Sequence, residues 1–213
     1  MSLTTIMNRR RQALLNSWKQ DPLILVLVES MNQLRGVVTM LSLDEDAPTV
    51  GQVGSRSENN VAILSAPGNP DINTSVWVKS SYRGYRKAYL AFIKQVYGVD
   101  ATSSQMHGFD ADHMLNKARS PSGGFIRLEA VPSSANQAWG RTFEKAAGFD
   151  DQRGRRTMDF TIAAKLAGLN APTNKNDVRQ IDAIVQYFER NLGLPKHEAE
   201  GFRQRMDFGY RQR

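Results

Sequence analysis

The chain has 213 residues, 40% apolar and 8% aromatic, which is enough for a packed core and excludes wholesale disorder. It has no cysteine, so disulfides, thiolate zinc sites and cysteine nucleophiles are excluded, and any metal must be held by oxygen and imidazole. A formal charge of +7 and a pI near 9.8 favour a polyanionic partner such as nucleic acid over acidic small molecules.

The N-terminal stretch "MSLTTIMNRRRQALLNSWKQD" carries a basic cluster with no apolar run of signal-peptide form behind it, because Asn16, Lys19 and Gln20 intervene. The longest apolar run, "LILVLV" at 23 to 28, falls far short of the roughly 20 residues a bilayer span needs. These features predict a soluble, cytoplasmic protein with no membrane partner and no Sec signal, leaving delivery by a dedicated system open. One main domain is expected over 1–213.

Residues 3 to 19 read as a helix with Arg9, Arg10 and Arg11 on a solvated face. Asp21 and Pro22 form a helix start, and Leu27, Met31, Leu34, Val38 and Leu41 recur at spacings of four and three. The expectation over 1–42 is therefore an N-terminal helical hairpin. From 43 to 75 the composition turns to Gly, Pro, Asn, Ser and Asp, with "TVGQV" and "NVAILSAP" suiting strands or irregular segments. Residues 79 to 97 read as an amphipathic helix with Tyr82, Tyr85, Tyr89, Phe92 and Val96 in one stripe and Lys79, Arg83, Lys87 and Lys94 on other faces. A tyrosine stripe at helical spacing is more often core. The interleaved cations suit a phosphate backbone, and Arg83, Lys87 and Lys117 are the expected nucleic-acid contacts. After a charged connector at 148 to 156, helices are expected at 157–168, 177–192 and 196–208, which make up a C-terminal helical segment over 157–208.

The central stretch runs "HGFDADHMLNKARSPSGGFIRLEAVPSSANQAWGRTFEKAA" over 107 to 147. "FDADHML" suits a strand, "NKARSPSGG" a polar turn, and "FIRLEAV" a second strand. "PSSANQAWGRTFEKAA" starts a helix with Ser134 as N-cap and Gln137 as capping-box partner. Trp139 and Phe143, four apart, are expected to seat that helix in the core. A carboxylate from Asp112 and an amide oxygen from Asn136 are hard ligands that suit Mg²⁺ or Mn²⁺. His113 beside such an ion can act as general base toward a water that attacks a phosphodiester.

The stretch resembles the ββα-metal, or His-Me finger, endonucleases, whose branches include HNH, endonuclease VII-type and DNA/RNA non-specific enzymes. Asp110, Asp112, His113, Leu115, Asn116, Gly124, Arg127 and Asn136 match the endonuclease VII pattern. Asp110, His113, Asn136, Gln137, Trp139 and Glu144 match the non-specific pattern. The resemblance implies His113 as general base and Asn136 as metal ligand. Asp112 is the second ligand on the first pattern and Glu144 a supporting carboxylate on the second, so the choice between Asp110 and Asp112 stays open. Two departures stand out. Ala111 replaces the arginine of the non-specific enzymes, leaving Arg119 or Arg127 to assist the transition state, and the zinc-binding cysteines that brace the helix in the resolvases are missing.

The fold expectation is α+β, mainly helical with a central ββα-metal element over 105–147. The functional expectation is a metal-dependent endonuclease using one Mg²⁺ or Mn²⁺ ion on DNA or RNA, of phage, mobile-element or toxin type, with an immunity or assembly protein as a further partner. The alternative is a non-catalytic basic nucleic-acid-binding or assembly protein in which the aspartates and His113 only tie down a turn.

Overall fold

A computed structural model of the chain describes residues 1–41, 48–117, 120–142, 154–174 and 176–211. The first helix, α1 (Leu3–Gln20), opens where the Ser2 hydroxyl accepts from the Thr5 amide. It closes at Asp21, whose side chain accepts from the Leu23 amide at 2.9 Å and so forms a turn where a second helix start was expected.

The N-terminal helical hairpin is not formed. Residues that fitted one continuous helix divide into strand β1 (Leu25–Val28) and helix α2 (Met31–Leu41). Val26, Leu27 and Val28 are all fully buried. Three consecutive buried residues, two of them β-branched, mark a strand covered on both faces, and the helical spacing of Leu27 and Met31 bridges two elements by coincidence. Ser30 starts α2 by accepting from the Gln33 amide at 3.2 Å.

Then come β2 (Thr49–Gln52), β3 (Val61–Ser65), the one-turn α3 (Pro70–Asn73) and β4 (Thr74–Lys79). The amphipathic helix α4 begins at Tyr85 rather than Lys79 and ends at Tyr97, stopped by Gly98 in the left-handed region. Its stripe faces inward, with Tyr89 and Phe92 fully buried. β5 (Phe109–His113), β6 (Phe125–Pro132) and α5 (Ser133–Arg141) follow. The chain continues through the short β7 (Arg156–Thr157), α6 (Phe160–Ala167), α7 (Val178–Asn191) and α8 (Lys196–Arg211). Asp159 and Asp177 cap α6 and α7 by accepting from the amides of Ile162 and Gln180.

The strands form one antiparallel sheet in the order β2-β3-β4-β6-β1-β7, with β5 also on β6. Ile126 pairs with Val78 of β4 and Leu27 of β1, while Leu128 pairs with Val76 of β4 and His113 of β5. β1 and β5 therefore follow one another along one edge of β6, and β4 lines the other. This sheet is much larger than the small central β element read from the sequence. Its strands are short and several are buried on both faces, so they carry apolar runs without the alternation that signals a strand.

α1 spans two apolar clusters. Its first half (Leu3, Ile6, Met7) packs with α4, β3 and β4, and its second half (Leu14, Leu15, Trp18) packs with α5 to α8 through Trp139, Ile162, Phe188 and Phe202. A third, smaller cluster under α2 holds Met31, Leu34, Trp77 and Phe125.

Candidate functional site

β5, β6 and α5 realise the strand, loop, strand, helix order. α5 starts directly after Pro132, so Ser134 lies in the first turn and does not cap the helix. Trp139 is fully buried and donates to the Leu169 carbonyl at 2.8 Å, seating the helix on the segment after α6. Between the strands Gly123 adopts φ +104°, open to glycine at little strain. A Cβ on Gly124 would lie 2.5 Å from Ser120 Oγ and 3.2 Å from the carbonyl oxygens of Pro121 and Val28. The two glycines thus provide turn geometry and a close approach to the end of β1.

Adjacent residues of a strand project to opposite sides, and β5 distributes its polar side chains accordingly. His113 turns toward α4, where its ring lies 4.8 Å from that of Tyr85. It is 5% exposed, and its Nε2 has no hydrogen-bond partner among the described residues. Burial lowers its pKa to about 4; Asp112 opposes the shift, while Lys117 and Lys165 add to it. The imidazole is therefore neutral at pH 7. Asp112 turns toward α6 and pairs with the buried Lys165, Nζ to Oδ2 2.5 Å. Asp110 lies between α4 and α5, accepting from Asn136 Nδ2 at 3.2 Å and from Arg86 Nη2 at 3.3 Å.

The structure thus brings Asn136 together with Asp110, while Asp112 meets Lys165 and His113 meets Tyr85. Each of the three has its own partner: an ammonium sits on Asp112, an aromatic ring lies on His113, and Asn136 hydrogen-bonds to Asp110. Asn116 is half-buried beyond the strand, and Lys117 is exposed beside it. Arg119, Phe143 and Glu144 lie outside the described residues.

Arg127 is not at the surface. It is 6% exposed and donates from Nη2 to Glu129 Oε1 at 3.3 Å. Arg10, read as part of a solvated triplet, is buried as well. Its Nε and Nη2 donate to Glu129 at 3.2 and 2.5 Å, and its other protons reach the Pro70 and Thr74 carbonyls and the Tyr97 hydroxyl. Burial works against the Arg10 charge, yet attraction and hydrogen bonding to Glu129 leave its pKa raised. Tyr97 donates onward to Asp71, which Arg9 also engages. Arg10 lies on α1 at the junction of the two larger apolar clusters, so this network ties them through β6.

Arg10, Arg86, Glu129 and Lys165 are the site residues that motif reading passed over. One of them had a visible signal. Lys165 is the lone charge in "FTIAAKLAGL", and a single cation within an apolar helical run implies a buried counter-charge. Compared with protein-family models, curated proteins and solved structures, the chain has no match.

Proposed function

We propose that the protein is a non-catalytic nucleic-acid-binding protein that holds the phosphate backbone on the face formed by the start of α4 and Arg56. The carrying observation is a contrast in charge pairing. The acids of the hairpin have protein cations on them: Arg86 on Asp110, Lys165 on Asp112, and Arg10 and Arg127 on Glu129. Among the described residues Arg83 and Lys87 are exposed and have no carboxylate at ion-pair distance, and Arg56 donates to the Lys87 carbonyl and to no carboxylate. Cations with no carboxylate on them among the described residues, beside half-buried Tyr82 and Tyr85, supply attraction to phosphates and aromatic edges for bases. Fluorescence anisotropy with single-stranded and duplex oligonucleotides across a salt series tests this. Arg83→Ala and Lys87→Ala should each weaken binding at every sequence and flatten the slope of log K against log salt by about one. Unchanged slopes would refute the assignment of this face.

A metal-dependent nuclease is the second reading, favoured by the 3.2 Å contact between Asp110 and Asn136 on a strand, loop, strand, helix unit. Mg²⁺- or Mn²⁺-dependent plasmid nicking that His113→Ala abolishes without unfolding the chain would decide for it. Binding without cutting, unchanged in that variant, decides for the first.

A further inference from the structure

We infer that Lys165 is the resident cation of the hairpin: its ammonium, brought from α6, neutralises Asp112 in place of a metal ion and fastens α6 to β5. Lys165 is 2% exposed, and its neighbours Ala164 and Leu166 belong to the apolar cluster of α5 to α8. An ammonium in such a setting is retained only where a carboxylate compensates its lost hydration, and Asp112 supplies one at 2.5 Å. Occupancy of that oxygen by a fixed positive charge also works against a divalent cation at the same place, since the two would repel at short range. The burial is unequal: the Lys165 side chain is 3% exposed and that of Asp112 is 22%. Removing the acid takes a carboxylate at 2.5 Å away from a dehydrated ammonium, whereas removing the lysine leaves a carboxylate that water still reaches. This inference stands whether or not the α4 face binds nucleic acid.

A double-mutant cycle tests it. Asp112→Asn should lower the melting temperature by roughly 6–20 °C, the loss set by breaking a buried pair in a chain of this size. Lys165→Met should lower it as well, and the double variant should lose clearly less than the sum of the two single losses. The wild type should leave the electron paramagnetic resonance signal of added Mn²⁺ undiminished and gain no melting temperature from Mn²⁺ at constant ionic strength. Additive losses in the double variant would overturn the pairing, and one Mn²⁺ taken up by the wild type and lost in Asp112→Asn would overturn the replacement of metal. If both single variants prove too unstable to purify, a folded double variant supports the pairing, and failure of all three overturns it.

Discussion

Glu129→Gln is the most informative single change in the core. Glu129 is 1% exposed and carries the only negative charge in direct ion-pair contact with Arg10 and Arg127 among the described residues. Glutamine keeps the shape and one acceptor oxygen but removes the charge and turns an amide donor toward guanidinium donors. Two buried guanidiniums are then left without their carboxylate, for which the loss is about 3–5 kcal/mol. In a chain of this length each kcal/mol lowers the melting temperature by about 2–4 °C, so the expected drop is roughly 6–20 °C. Thermal melts followed by circular dichroism at pH 7, with urea titration for the free energy, measure it. Because Arg10 joins the clusters on either half of α1, hydrogen exchange should accelerate in both halves together. A loss below about 1 kcal/mol, or faster exchange confined to one half of α1, would refute the view that this network ties the two clusters.

Two further outcomes follow from the hairpin. His113 titrates at about 4 when folded and near 6.5 when unfolded, so the unfolded chain binds a proton first as pH falls. The stability this group contributes is complete above pH 6.5, declines through the window down to about 4, and amounts to roughly 3 kcal/mol once lost. Melting temperature against pH should therefore be flatter for His113→Gln than for the wild type within that window, and an NMR titration showing His113 protonated near pH 6 would contradict the burial argument. Gly124→Ala should destabilise by roughly 1–3 kcal/mol, because the new Cβ meets two backbone carbonyls as well as the Ser120 hydroxyl. A neutral melt for that variant would mean that the hairpin turn shifts freely against β1.

What could be read in the sequence depended on whether the signal was local. The helices expected at 157–168 and 177–192, the tyrosine stripe of α4, and the strand, turn, strand, helix order around "FDADHMLN" all rest on residues within a few positions of each other, and those elements form. The sheet could not be read the same way. β1 owes its conformation to partners about 100 residues away on β6, and no local spacing separates "LVLV" as a buried strand from "LVLV" as a buried helix turn. The partners of the candidate site residues were hidden for a related reason. Asp112 and His113 are neighbours in the sequence, and neighbouring residues on a strand face apart, so the pairing of "Asp-His" into one basin needed a bend that β5 does not make before Met114. Their counterparts came from α6 and α4, 53 residues after Asp112 in one case and from a helix before the strand in the other. A motif records which residues are near along the chain, while the sides of a strand decide which are near in space. On β5 the residues that share a side are Asp110 and Asp112, and each has met a cation from a different helix: Arg86 from α4, Lys165 from α6.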